Sequence, residues 1–393
     1  FFTMISHFIS HRGNLQGPNP ERENEPAYIE EAIKAGFDVE IDVWMIADEL
    51  FLGHDEPKYK ISPDFLLNHQ DKLWCHAKNF DALNLMYENR ATIHYFSHDL
   101  DSHILTSKNI IWAYPGKEIN NNTVCVMPER TDDIYTEQQL KSCYGICSDY
   151  VGHYKKKLTA EIRLAMIISG RGLRYESNLL EQLNKFYNKF TNVWIDIYVS
   201  INGKQDEYYN QMKKVLFPCK IRYEDYICPD NYKNYKNARN EAIENPTITY
   251  NMLSHYYNNM KCLEMIKMYC HKNNFEYDRC FQYRTDIVTD ELPKYIMDNL
   301  NENTVYYSKY LYILNDNNEL ISWNESDKIN NAMVIGTYNT MLQYLKFYNY
   351  IDEYIIKENI QFHSETIITH YLKKINMNLY PFDFNFILDK HRK

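Results

Sequence analysis

Nowhere among its 393 residues does the chain carry an apolar run approaching the roughly 18 residues that a membrane-spanning helix needs. It also lacks a C-x-x-C pair. The nine cysteines are an odd number and scattered, with Cys143 and Cys147 nearest a metal-like spacing. They read as free thiols in a reducing, cytoplasmic compartment. Excess positive charge is missing too, and a net charge of -10 argues against a nucleic-acid partner held through its phosphates. The opening Phe1-Phe2-Thr3-Met4-Ile5-Ser6 has no basic n-region and no cleavage site, and reads as a first strand. There is no internal repeat, and no low-complexity tract beyond Asn-rich clusters at 120–122 and 315–318. The 36 tyrosines read as base-composition bias, not as a carbohydrate platform. What remains is a globular chain, 45% hydrophobic, whose length favours two domains, with three within range.

Four polar clusters stand out in the first eighty residues. They are His11-Arg12-Gly13-Asn14, Glu40-Ile41-Asp42, Gly53-His54-Asp55 and His76-Ala77-Lys78. Each ends a short, mostly apolar run, which is how a parallel barrel builds a site from the carboxyl ends of its strands. The spacing continues through Ile93–Phe96, Ile110–Trp112, Val124–Met127 and Tyr144–Cys147, giving eight strand candidates by about residue 150. Helices are expected near 26–35, 62–70, 79–89 and 133–141. The connections after strands five and six are too short for full helices. The outer ring is therefore expected to be incomplete, leaving apolar surface for the rest of the chain or a homo-oligomer contact to cover.

These clusters, in this order, resemble those of the glycerophosphodiester phosphodiesterases and the wider phospholipase C-like barrels. Even Glu23-Asn24-Glu25-Pro26, running into Ala32-Ile33-Lys34-Ala35-Gly36, is similar to a helix of that family. The resemblance implies a compact (β/α)8 TIM-like barrel over residues 1–155 that cleaves a phosphodiester. His11 and His54 would be the acid/base pair, since an unperturbed imidazole titrates near neutrality. Glu40 and Asp42, two apart on a strand, share one face, and two inward carboxylates call for Mg²⁺ or Ca²⁺. Arg12 and Lys78 would hold the phosphoryl oxygens. One departure matters: His76 stands where the family has a third acidic ligand, and imidazole suits Zn²⁺ or Mn²⁺ better than Ca²⁺. Asp149, Glu129 and His98 also end strands and are candidates to complete the shell.

After Tyr154–Thr159, a basic stretch read as a linker, the pattern restarts. Ile162–Ile168 and Val193–Val199 read as buried strands with a helix at 177–190 between them, and Met252, Tyr256, Met260, Leu263, Ile266 and Cys270 keep a helical period. Alternating strands and helices point to an open, Rossmann-like α/β domain over 160–393. The strand and loop from Arg163 to Arg174, Tyr277-Asp278 leading to Arg284-Thr285-Asp286, and Phe362-His363-Ser364-Glu365 resemble, more loosely, GT-A glycosyltransferases. That resemblance implies a nucleotide-sugar donor and a glycan acceptor. Asp286 would hold Mn²⁺ or Mg²⁺ without a strict D-x-D, Arg284 would meet the diphosphate, and Asp327 and Glu365 would be the candidate catalytic groups. Glu365 reads equally as a helix-start cap. The expected protein is thus a bifunctional enzyme of glycan or phosphoglycan metabolism. The competing readings have one active domain, or a barrel that only binds phospho-sugars or lipid head groups.

Overall fold

Val39, Ile41 and Val43 alternate with Glu40 and Asp42, so one face of this strand is apolar and the other acidic. The computed structural model describes residues 5–131, 134–171, 192–202, 219–223, 246–284, 287–288, 299–309, 311–314, 320–323, 328, 333–360, 363–382 and 387–388. The chain divides into two compact units, Phe1–Thr159 and Ala160–Lys393. In the first unit the elements are β1 (His7–His11), α1 (Pro26–Lys34), β2 (Asp38–Ile46), β3 (Glu49–Leu52), β4 (Tyr59–Ile61), α2 (Pro63–Asn68) and β5 (Leu73–Ala77). They continue with α3 (Phe80–Glu88), β6 (Tyr95–Phe96), β7 (His103–Leu105), β8 (Ile111–Ala113), β9 (Thr123–Val126), α4 (Glu137–Ser142), β10 (Gly145–Ser148) and α5 (Val151–Thr159).

Seven of these strands run parallel in the order β6-β5-β2-β1-β10-β9-β8 and curl into a partial barrel. The outward side chains Val39, Ile41, Val43, Cys75 and Ala77 pack with Ile29 and Ala32 of α1 and Ala82 and Met86 of α3. Inside, Ile9, Trp74, Phe96, Trp112, Val124 and Cys147 form a separate apolar cluster.

A complete (β/α)8 barrel is not what the described residues form. Leu50–Leu52, expected as the third barrel strand, lies in β3, which pairs antiparallel with β2 as one arm of a hairpin. At the opposite seam β6 and β8 share no ladder. Tyr95 and Ser107 bridge it instead, with the Ser107 N–H donating to Tyr95 O at 2.9 Å and the Tyr95 N–H to Ser107 Oγ at 3.0 Å. The basic stretch at 154–159 is not a linker either. It belongs to α5, which buries Val151, Tyr154 and Leu158 and leaves its lysines on the other face.

In the second unit β11 (Ile162–Arg171), β12 (Val193–Asn202), β13 (Cys219–Tyr223), α6 (Pro246–Asn273), β14 (Arg279–Arg284) and β15 (Ile287–Val288) come first. There follow β16 (Thr304–Ser308), β17 (Leu311–Leu314), β18 (Leu320–Trp323), β19 (Met333–Thr337), α7 (Tyr338–Leu345), α8 (Ser364–Lys374), β20 (Asn378–Phe382) and β21 (Ile387–Leu388). The main sheet runs β13-β12-β11-β14-β19-β16-β20, with its first four strands parallel and β19 antiparallel to both neighbours. Helix α6 lays Leu253, Tyr256, Leu263, Ile266 and Cys270 on the sheet. Asp196 is buried and fully engaged, by Arg163 at 2.7 Å, Trp194 Nε1 at 2.8 Å and the Tyr277 hydroxyl at 2.7 Å. Among the described residues no helix is long and apolar enough to cross a membrane.

Removing the Ile41 side chain, which is 0% exposed, should cost about 2–5 kcal/mol. Replacing Leu100, 93% exposed, by Ser should change stability by less than about 0.5 kcal/mol. Urea denaturation of Ile41→Ala and Leu100→Ser checks this; equal effects would contradict the assigned faces of β2.

Candidate active site in the first unit

Residues 38, 40 and 42 of β2 face the barrel interior, and the register aligns His11 of β1 with Glu40, Glu40 with Trp74 of β5, and Asp42 with His76. The loop after β1 is held in a tight shape. Arg12 takes a left-handed φ of 55° and Gly13 one of 97°, where a Cβ would stand 2.6 Å from the Tyr28 ring. That turn sends the Arg12 side chain back over β2.

Asp42 is fully buried and surrounded by compensating groups. Arg12 Nε stands 2.9 Å and Lys78 Nζ 3.4 Å from its oxygens. Asn24 donates to Oδ2 at 2.9 Å and accepts from the Asp42 backbone N–H at 2.9 Å, while His76 Nδ1 is 3.0 Å from Oδ1. Burial pushes the Asp42 carboxyl up, but the His76 hydrogen bond and the Arg12 and Lys78 charges outweigh it and hold the group well below the usual range. Glu40 is the opposite case. Burial, and then the Asp42 charge beside it, drive its carboxyl well above the ordinary value. Its Oε2 is buried and makes no hydrogen bond.

His11 is oriented from behind. Its Nδ1 lies 2.7 Å from Asp149 Oδ1, and its Nε2 3.9 Å from Glu40 Oε2. Burial raises Asp149, yet the hydrogen bond with His11, and further ones, hold it below the usual carboxylate range. Burial lowers His11 more than Asp149 raises it. A neutral imidazole beside an ionised carboxylate donates its Nδ1–H there, leaving the Nε2 lone pair facing the cluster. Asn14 donates to both Asp149 and Glu23, and Glu23 accepts from Arg12.

His54 lies apart from these contacts. It sits on the turn after β3, exposed, with Nδ1 2.6 Å from Asp55 Oδ1. The turn is nonetheless tied to the site, because the Gly53 N–H donates to Asp42 O at 3.1 Å. Gly53 has φ 154°, and a Cβ there would meet Glu56 O at 2.0 Å.

His76 lies nearly parallel to two neighbouring rings, Phe96 at 5.1 Å and His98 at 4.3 Å, while the Tyr114 hydroxyl holds His98 Nδ1 at 2.8 Å. Glu129 accepts from the Ser148 hydroxyl at 2.7 Å and the Asp149 N–H at 3.1 Å, and burial pushes its carboxyl up to about 7.

The resemblance implies a divalent cation, and the donors fit one. Glu40, Asp42 and His76, all buried, each offer a ligand atom within 4.8 Å of the others. The unpartnered Glu40 oxygen is what a cation would relieve. Glu23 and Asn24, quoted above only for their likeness to a family helix, and Tyr114 contact the site residues in ways the motifs did not flag. The signal available for Asn24 was its place just before the Glu25-Pro26 helix start, with φ 63° in the loop that returns to β2.

In the second unit, Asp286 and Asp327 lie outside the described residues. Arg284 ends β14 and is half-buried. Glu365 occupies the first turn of α8, 3.5 Å from His363 Nε2, where its charge suits the helix end.

No protein-family model matches the chain, and no curated protein does. Among solved structures, similar chains include the glycosyltransferase GlyE of Streptococcus pneumoniae in its apo form, at 10% identity and TM-score 0.31, covering 56% of this chain and 45% of GlyE. An active-site mutant of LgtC matches at 10% identity and TM-score 0.29, over 52% of this chain and 68% of that one. A second GlyE structure matches at 11% and 0.29, again over 56% and 45%. The chain thus spans less than half the length of GlyE. None of these three structures is a phosphodiesterase.

Glu129 generates a pH prediction. Its folded value near 7 lies above that of a free glutamate, so the native state binds the extra proton between about pH 4.5 and 7. Stability from this group is therefore full below that window and lost as pH rises through it. Glu129→Gln, which keeps the neutral form, should gain about 1–3 kcal/mol over the native chain at pH 8 relative to pH 4.5. Denaturation at the two pH values measures it; a constant difference would contradict the assignment.

Proposed function

We propose that the first unit is a metal-assisted phosphodiester hydrolase and the second a nucleotide-sugar-dependent glycosyltransferase. The observation that carries the first half is the convergence of His11, His76 and Lys78, at the carboxyl ends of β1 and β5, with Glu40 and Asp42 at the level of β2 that pairs with them, and Arg12 folded over the group. That is where a barrel presents its chemistry.

In this reading His11 Nε2 takes the proton from the hydroxyl that attacks phosphorus, and Asp149 keeps the ring in the required tautomer. His54, on the hairpin turn tied to Asp42, returns a proton to the leaving oxygen. Arg12 and Lys78 stand against Asp42 and would face the phosphate charge. Glu40, Asp42 and His76 would hold the divalent cation, which when bound withdraws charge from the phosphoryl oxygens.

Asp149→Asn should preserve the fold and lower kcat on glycerophosphodiesters by about 10²–10⁴, with KM little changed, because the amide permits the wrong tautomer. His11→Ala and His54→Ala should each lose about 10²–10⁴. Steady-state kinetics with divalent metal present decides it; full activity in either histidine variant would overturn the two-histidine reading. The alternative, a barrel that only binds phospho-sugars or head groups, draws on the exposed His54 paired with Asp55. Binding of such ligands by the native chain with no turnover would favour it.

The transferase half rests on the sequence resemblance and on the parallel core of the second sheet. Asp286→Ala should weaken Mn²⁺-dependent binding of nucleotide diphosphosugars at least tenfold and leave phosphodiester cleavage unchanged. Calorimetric titration with a uridine and guanosine panel tests this, and no metal-dependent binding by the native chain would remove the assignment.

A further inference from the structure

The donor set of the first site is two carboxylates and one imidazole, and the imidazole is the best-positioned of the three. His76 Nδ1 points at both acids, 3.0 Å from Asp42 Oδ1 and 4.0 Å from Glu40 Oε1. Neighbouring donors around a cation with bonds of about 2.1 Å stand roughly 3 Å apart, so little movement is needed to close the set. The ring is fixed by packing. It is 7° from parallel with Phe96 and 11° from parallel with His98, whose own ring is anchored by Tyr114. A second observation is independent of the cluster's composition: Glu40 Oε2 is buried and accepts no hydrogen bond from the protein, an unused acceptor turned toward the cluster that a cation would satisfy.

We propose that His76 makes this a site for a transition cation, Zn²⁺ or Mn²⁺, in preference to Mg²⁺ or Ca²⁺. The alkaline-earth ions take oxygen donors, and Ca²⁺ wants six to eight of them, whereas Zn²⁺ accepts a mixed nitrogen and carboxylate set at low coordination number and Mn²⁺ accepts an imidazole within a six-coordinate shell completed by water. Arg12 and Lys78 reinforce the choice. They already stand against both Asp42 oxygens, at 2.9 and 3.4 Å, so this carboxylate has less room to chelate a large ion through both of them. The inference rests on the cation site of the proposed hydrolase but not on its reaction.

The test uses the full chain and Mn²⁺ as the probe. Titration calorimetry, with electron spin echo of bound Mn²⁺, should show a site whose modulation carries directly coordinated imidazole nitrogen. Glu40→Gln should remove that signal, which separates it from any cation bound in the second unit. His76→Asp restores an all-oxygen set. It should abolish the nitrogen modulation and cut the preference for Mn²⁺ over Ca²⁺ on the order of tenfold. Should His76→Asp fail to fold, the nitrogen signal of the native chain and its loss in Glu40→Gln still decide the matter. Mn²⁺ bound without nitrogen coordination, a nitrogen signal that persists in a folded His76→Asp, or Ca²⁺ competing equally in the native chain would each overturn the proposal, as would no binding. Nitrogen-coordinated Mn²⁺ in a chain that cleaves no phosphodiester would sink the reaction and leave the cation site standing.

Discussion

One buried negative charge organises the first unit. An unpaired carboxylate in an apolar interior costs several kcal/mol, so Asp42 must bring its compensation with it. That compensation comes from four places in the chain: Arg12 from the loop after β1, Asn24 from the approach to α1, and His76 and Lys78 from β5 and just beyond. The left-handed turn at Arg12 and Gly13, the helix start at Glu25-Pro26 and the register of β5 on β2 all serve to put those groups around a single side chain. Apolar packing on the outer face fixes the same register of β5 on β2, so the two demands agree.

The same constraint sorts the acids into different states. Asp42 is solvated by donors and stays ionised. Asp149 is held ionised by His11 and Asn14. Glu40, one layer deeper beside Trp74 and with no donor of its own on Oε2, resists ionisation, and so does Glu129. Groups of one chemical type, pushed apart by their surroundings, give the site both charged and neutral carboxyls at one pH.

Much of this was legible. The alternation of Val39, Ile41 and Val43 with acids marked β2 and its inner face, and seven of the eight apolar runs became parallel strands. The eighth failed because Leu50-Phe51-Leu52 has a strand's pattern but follows β2 after two residues, Ala47 and Asp48, both at positive φ. Such a turn makes a hairpin, and a parallel partner needs a crossover of a dozen residues or more. The lysines at 155–157 hid a helix whose Val151, Tyr154 and Leu158 spacing was there to be read. On α6 the apolar period was found, but Asn258 and Asn259 are buried too, bonded to Ser200 and Ser169 of the facing strands, and no periodicity marks a buried amide. Asn24 was hard to see for a related reason, and Asp149, a candidate for the metal shell, was not recognised as the carboxylate behind His11. Their worth lies in partners 18 and 138 residues away.

That last separation has a kinetic side. His11 belongs to the first strand of the first unit and Asp149 follows its last, and β1 completes its pairing only against β10. At a synthesis rate of about 5–20 residues per second, the two halves of this dyad leave the ribosome roughly seven to twenty-eight seconds apart. Until then β1 has an open edge and an imidazole with no carboxylate behind it. The site is therefore assembled by the final strand to arrive. A nascent chain stalled or cleaved before Gly145 would expose the aromatic interior and carry every motif named in the first eighty residues, yet hold no oriented base.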